Sequence, residues 1–334
     1  MNIYIYPARD LENPYIENVI DTLESETCFV LNKNKTNKYG ILDLLMNILK
    51  VDTYYLNWPE NLADRRFGFL QSIAFVCIFT ILKLFNKKII WMMHNKISHS
   101  KKGLLSKIVI FYILINKSDI VLTHAKEGIS FGNTFLKNKR PIYYFPHPFE
   151  NKMHKIKKQN EKNIDILIWG SISPYKGIDT FLEYLDLHAL SNKYKIHIVG
   201  KISDEKLKNR LEKYENKNII IEDTFVDENE LEQLFSRTKL VLLTYAGYST
   251  LASGALMDTL SYGVNVIGPD VGAFRDLREE GLIKTFSNYD DLIVKIDESL
   301  SENKNNAEKS IAFILKHSWE NFGQWLCKII RDKR

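Results

Sequence analysis

Twelve short apolar runs, spaced by stretches of helical periodicity, set the fold class of this chain. In the first half they are NIYIY, CFVLN, TYYLN, KKIIWMMH, DIVLTH and PIYYFPH; in the second, DILIWG, YKIHIVG, NIIIED, KLVLLTY, GVNVIGP and KTF. Strand-length runs alternating with helices read as parallel sheets joined by crossover helices, an α/β doubly wound design. Between them ENKMHKIKKQNEKN, residues 150–163, is polar, charged and short of large hydrophobics, as a linker is. The expected organisation is one doubly wound domain over 1–150, a linker over 151–163 and a second such domain over 164–315. A chain of 334 residues is long enough for two cores of this kind. Ligands of such sheets sit beyond the carboxyl ends of the strands, so both sets of strand ends are expected to face one cleft.

Composition narrows the class further. A hydrophobic share of 45% and a charged share of 26% are those of folded soluble proteins and argue against disorder or a multi-span membrane protein. Cys28, Cys77 and Cys327 are odd in number, far apart in sequence and set in apolar surroundings, with no CxxC or Cys/His spacing. They read as reduced core thiols, not as a disulfide framework or a zinc site. The start, MNIYIYPARD, lacks the basic stretch, apolar run and small-residue site of a secretory signal, so the expected compartment is the cytosol. Residues 1–150 hold 19 Lys and Arg against 13 Asp and Glu, and the remainder 27 against 28, which puts the positive excess in the first half. A basic half suits an anionic surface or a pyrophosphate-bearing partner, or is simply a solvated face. Scattered lysines without a recognition motif or aromatic-basic platform argue against nucleic acid.

Two apolar segments bear on membranes. FGFLQSIAFVCIFTILKLF, residues 67–85, approaches the ~20 residues of a span, yet Gln71 and Lys83 interrupt it, and it is read as a buried helix of the first domain. KKGLLSKIVIFYILINK, residues 101–117, has three lysines near its start and a long hydrophobic face. It fits either peripheral contact with an anionic membrane or ordinary helix packing.

The chemistry-bearing segments lie in the second half. IWGSISPYKGIDTFLE, residues 168–183, is a strand, a loop holding Gly170 and Gly177, and a helix beginning near Asp179. Glycines let backbone approach a ligand and Lys176 places a compact positive charge near a helix start, which together suit a diphosphate. In LLTYAGYSTLASGALMDTLSYGVNVIGPDVGAFRDL, Ser253 and Gly254 fall where a helix begins, and Asp258 lies one turn on, able to reach ribose hydroxyls from the same face. Read structurally, Lys176 is a surface lysine on a routine turn, Ser253 an N-cap, Gly254 a packing glycine and Asp258 a solvated carboxylate. Asp227 and Glu230 fit a helix start, and Asp290 and Asp291 read as caps of another, not as part of an aspartate triad for a cation.

These two segments resemble the donor-binding domain of family 4 glycosyltransferases, which have the GT-B fold. The family pattern Gly-Arg-x-x-x-x-Lys-Gly is matched by Gly170, Ser171, Lys176 and Gly177, and its later pair of glutamates falls on Thr250 and Asp258, followed by Gly263 and VNVIGPD. Two positions depart: the arginine is Ser171, and the glutamate that contacts the transferred sugar is Thr250. In the first half LNWPE, WMMHN, DIVLTHAKEG, FPHP and the loop PARDLENPY resemble a branch that builds bacterial surface polysaccharides. HSWENFGQWL resembles the last helix of the fold, residues 316–334, which crosses back to the first domain.

The resemblance implies a GT-B architecture, with a Rossmann-like acceptor domain and a Rossmann-like nucleotide-sugar domain facing a cleft. It implies a sugar-transferring enzyme using a UDP- or GDP-linked donor, without metal or cofactor, acting on a lipid-linked or polysaccharide acceptor at the inner membrane face. Lys176 and helix-start amides would stabilise the departing diphosphate, with Asp258 on the ribose. His94, at a strand end, would bond the donor sugar or order the reacting groups; its plain reading is a core histidine. His99, His124, His147 and Asn95, also near strand ends, rank below it. Lys201, after Gly200, either adds positive charge, lines the base pocket or faces solvent. Phe225 sits where the base is received, or is a core aromatic. Retention of configuration follows from the resemblance, and Thr250 leaves it open. Two competing readings are a degenerate transferase that binds or activates a partner, motivated by Ser171 and Thr250, and a nucleotide-sugar 2-epimerase, from which Thr250 removes one needed carboxylate.

Overall fold

The structure is a computed structural model that describes all residues except 9–13, 35–39, 97–101, 157–161, 246–249, 303–306 and 333–334. Its contacts divide the chain into two compact units. The first comprises Met1–Pro148, Ser249–Ala252 and His317–Arg334, and the second Phe149–Tyr248 and Ser253–Lys316. Each of the twelve apolar runs contributes a strand, and every pairing within the two six-stranded sheets is parallel.

In the first unit the strands are β1 (Asn2–Tyr6), β2 (Phe29–Val30), β3 (Thr53–Asn57), β4 (Lys88–Met93), β5 (Ile120–Thr123) and β6 (Tyr143–Tyr144), in the order β2-β1-β3-β4-β5-β6. The helices between them are α1 (Pro14–Ser25), α2 (Asp43–Met46), α3 (Gly68–Leu84), α4 (Leu104–Lys117) and α5 (Lys126–Asn133). The order reverses between β1 and β3, which pair with Ile3 opposite Thr53. Both faces of β4 are buried, as expected of a parallel strand covered on each side. On one face Ile90 and Met92 join the cluster built by Ile16, Val19 and Leu23 of α1. On the other, the indole of Trp91 meets the ring of Phe111 from α4 edge-on at 5.1 Å between centroids.

The second unit contains β7 (Ile164–Trp169), β8 (Ile196–Val199), β9 (Ile219–Glu222), β10 (Thr238–Leu242), β11 (Asn265–Pro269) and β12 (Lys284–Phe286). Their order is β12-β11-β10-β7-β8-β9, the doubly wound order with its switch point between β7 and β10. The helices are α6 (Ile178–Leu187), α7 (Glu205–Leu211), α8 (Glu228–Arg237), α9 (Gly254–Ser261), α10 (Gly272–Glu279), α11 (Tyr289–Ser301) and α12 (Ala307–Lys316). Asp227 and Glu230 close a full capping box on α8. The cap of α11 is Asn288, which accepts from the Asp291 amide, while Asp291 accepts from the Ser287 amide and Asp290 from the Tyr184 hydroxyl. The expectation that both aspartates cap is corrected accordingly.

The last helix, α13 (Trp319–Asp332), belongs to the first unit and packs on α1. Phe322, Leu326 and Ile330, spaced four apart, are fully buried in the α1 cluster. A Cβ on Gly323 would lie 2.4 Å from Thr22 Cγ2, so the absence of a side chain there sets how closely the helices approach. The same contact brings together Cys28 and Cys327, the free buried thiols expected, while Cys77 departs from the core reading. Cys28 and Cys327, 299 residues apart, are buried with their Sγ atoms 3.2 Å from each other, whereas Cys77 is exposed on α3. α3 itself buries only the stripe Ser72, Phe75, Ile78, Phe79 and Leu82 and leaves Phe69, Leu70, Ile73 and Leu84 in solvent. A helix lying on a sheet can cover one stripe only, so apolar character all round does not bury it all round.

Candidate active site

At the switch point of the second unit, the loop after β7 and the segment after β10 meet through Lys176. Its Nζ donates to the Tyr245 hydroxyl at 2.6 Å and lies 4.2 Å from the centroid of that ring and 5.7 Å from that of Tyr175. The Tyr245 hydroxyl is also 2.7 Å from Ser253 Oγ, which accepts the Leu256 amide as N-cap of α9. Because an ammonium only donates, Tyr245 passes its own proton on to Ser253. The relay runs from Lys176 through Tyr245 and Ser253 into the start of α9.

Lys176 is 8% exposed, and no carboxylate pairs with it among the described residues. Burial alone would lower its ammonium pKa; the phenolic groups of Tyr245 and Tyr175 more than offset this and hold it above the ordinary lysine range. Among the described residues the side chain is thus a buried cation with a single hydrogen-bond acceptor and no counter-anion. Sequence reasoning found the lysine and not its tyrosine partners, although Tyr245 lies in the segment singled out for Ser253.

The glycines differ in function. Gly177 has φ +67° and starts α6 from the left-handed region. Gly200 has φ +154°, and a Cβ there would come within 1.9 Å of the Gly170 carbonyl oxygen, so it serves close packing of β7 and β8 ends. Gly254, by contrast, has nothing within 4 Å of a built Cβ and is exposed, so it is not a packing glycine but the open first residue of α9. Ser253 takes the Leu256 amide, and among the described residues no acceptor is recorded for the amides of Gly254 and Ala255 at the positive end of the helix. Asp258 follows one turn later. Burial raises its carboxyl to about 6, against the pull of Lys152 and with a push from Glu228.

The remaining positions are less convergent. Ser171 is exposed. Lys201 is 68% exposed and paired with Asp223 at 3.1 Å, so its charge is already matched. Phe225 is 80% exposed on the loop after β9, which corrects its reading as a core aromatic.

In the first unit His94 follows β4 and enters a buried aromatic and imidazole cluster. Its ring stacks on Trp58 at 4.2 Å and meets Tyr15 edge-on at 4.9 Å. Asn57 Nδ2 points to the Tyr6 carbonyl, which orients its Oδ1 to accept from His94 Nε2 at 2.9 Å and leaves His94 Nδ1 as an acceptor. His124 Nδ1 donates to the Phe145 carbonyl at 2.8 Å, so its Nε2 accepts from Tyr15 at 2.9 Å. His147 donates from Nδ1 to the Pro148 carbonyl at 2.9 Å. Burial, and the mutual repulsion of their charged forms, holds His94 and His124 well below the ordinary imidazole range; burial holds His147 at about 4. All three are neutral near pH 7. Asn95 forms an antiparallel bridge with Thr250, whose buried Oγ1 has no hydrogen-bond partner among the described residues. His99 lies outside the described residues.

Among the described residues no group of three His, Cys, Asp or Glu is placed to hold a metal ion.

Two parallel doubly wound sheets with a carboxy-terminal helix on the first define the GT-B class of glycosyltransferase folds. HepE from Anabaena, in complex with UDP-glucose, matches with a TM-score of 0.73 at 11% identity, covering 99% of this chain and 99% of that one. Sucrose-phosphate synthase from Thermosynechococcus elongatus matches with a TM-score of 0.72 at 12% identity over 99% and 98%. AviGT4, a glycosyltransferase involved in avilamycin A biosynthesis, matches with 0.61 at 11% identity over 99% and 96%. No curated protein sequence matches the chain. Residues 149–323 match the model of the glycosyl transferases group 1 family, and the chain belongs to that family.

Proposed function

We propose that this enzyme transfers a hexosyl group from a UDP- or GDP-linked donor to a lipid-linked or polysaccharide acceptor in bacterial surface-glycan synthesis, at the cytoplasmic face of the membrane. The donor half of the reading rests on Lys176, an ammonium that is buried at the switch point of a doubly wound sheet and has no counter-anion among the described residues. A nucleoside diphosphate supplies the missing negative charge. Lys176 and the amides of Gly254 and Ala255 would take its phosphate oxygens, offsetting the charge that develops as the glycosidic bond breaks. Asp258 accepts from the ribose hydroxyls, and exposed Phe225 offers a face for the base. UDP-glucose and UDP in the HepE complexes favour uridine as the carrier.

His94 is neutral, with Nδ1 left as an acceptor, and suits orientation of a sugar hydroxyl. Retention of configuration and independence of metal belong to the same reading. Thermal unfolding in the presence of UDP, GDP and their sugars tests it: the matching nucleotide raises the midpoint by mass action in the wild type and not in Lys176→Ala. A folded wild-type sample that shifts with none of them removes the donor assignment.

A further inference from the structure

Among the described residues, twenty large apolar side chains are exposed, and fourteen of them fall between Leu42 and Tyr112 in the first unit. They come from α2, α3 and α4 and the turns that flank them, with α2 packed on α3 and α3 on α4. Phe69, Leu70 and Ile73 of α3 and Leu104, Leu105 and Ile108 of α4 are each 44% exposed or more, Leu105 reaching 77%. Exposed apolar side chains gathered in this number on neighbouring helices mark an interaction site.

The charge of the same segment says what covers it. Residues 42–117 carry 11 Lys and Arg against 4 Asp and Glu, an excess larger than the +5 of the whole chain. α3 and α4 both begin beside the turn Pro59–Asp64, neither has an acid in its first turn, and exposed Arg65, Arg66 and Lys102 lead into them. Helix starts normally recruit acidic side chains; here three cations lead into two helix starts, and the Asp64 carboxylate of the shared turn is paired with Lys107. An isologous contact with a second copy would set these cations against themselves. No helix among the described residues is long and apolar enough to cross a membrane.

We propose that the outward face of α2, α3 and α4 docks on a bilayer containing anionic lipids. The apolar side chains enter the boundary between headgroups and acyl chains, and Arg65, Arg66 and Lys102 meet lipid phosphates. This inference stands on the surface alone and does not depend on sugar transfer. Sedimentation of the full chain with vesicles of phosphatidylcholine, alone or mixed with phosphatidylglycerol, tests it. Binding to the mixed vesicles is expected to exceed that to neutral ones by ~10-fold and to fall with salt. F69E/L105E should lose binding ~10-fold with an unchanged melting temperature, and R65E/R66E should erase the preference for anionic vesicles. The proposal is overturned if the wild type stays in the supernatant with both vesicle types, if F69E/L105E pellets like the wild type, or if neutral vesicles bind equally well. A dimer that F69E/L105E abolishes, without vesicle binding, would give the face to a second copy and also overturn it.

Discussion

Lys176 has the sequence context of an ordinary loop lysine, and only its burial between Tyr175 and Tyr245 separates it from one. Replacing it by Ala removes the charge that would face the diphosphate. We expect kcat/KM for the donor to fall ~100-fold or more, as for loss of a single transition-state donor, read as nucleoside diphosphate release at steady state. Tyr245→Phe keeps the ring under the ammonium and removes only the hydroxyl relay, so its loss should be smaller. Asp258 carries a prediction with a pH signature. With its carboxyl held at about 6, protonation below that pH would remove the charged acceptor proposed for the ribose hydroxyls. Nucleotide affinity should therefore weaken as pH falls through 6. Asp258→Asn should bind about tenfold more weakly, the loss of one charged hydrogen bond, and show no such step; titration calorimetry across the range would detect either departure.

The ends of the elements hold the site's geometry. α9 starts on a side-chain cap, and Ser253→Ala should cost about 1 kcal/mol in urea unfolding, with weaker nucleotide binding because the Tyr245 relay also ends there. Gly200→Ala is more severe. The new Cβ would meet the Gly170 oxygen at 1.9 Å at a φ of +154° that side chains rarely adopt. A loss of ~3 kcal/mol or more is expected, and an unfolding midpoint equal to wild type would show that β7 and β8 can separate without cost. These capping and glycine positions were legible in sequence as positions, since Ser253, Gly170, Gly177 and Gly200 fall where strand gives way to helix. Their division into packing and open glycines was not, because it depends on what lies across the space from each Cα.

Three buried neutral histidines tie stability to pH. In an unfolded chain each takes up a proton near 6.5, while in the folded first unit His147 does so at about 4 and His94 and His124 only well below the usual value. Across the window from about 6.5 down to 4 the unfolded state binds more protons, so stability falls as pH falls, by ~1.4 kcal/mol per unit for each histidine. Glu60, raised to about 7, and Asp258 take up protons in the folded state first and offset part of this. The melting temperature should hold near pH 7 to 8 and drop below 6.5, with a shallower slope in His147→Asn. Equal slopes for the two proteins would show that His147 titrates alike in both states.

Strand identity and order of elements were determined by the sequence alone, because short apolar runs and helical stripes are local properties that each segment carries with it. All twelve runs formed strands, and Gly170, Lys176 and Gly177 lie between β7 and α6 as the pattern put them. Tertiary structure decided what depends on partners distant in sequence: the tyrosines that hold Lys176, the approach of Cys28 to Cys327 through α13, the bridge from Asn95 to Thr250, and the exposure of Phe225 and of one face of α3. A residue type and its spacing fix which way a side chain can point on its own element. Whether that direction leads into a core, a partner or water is fixed only when the other elements have packed around it.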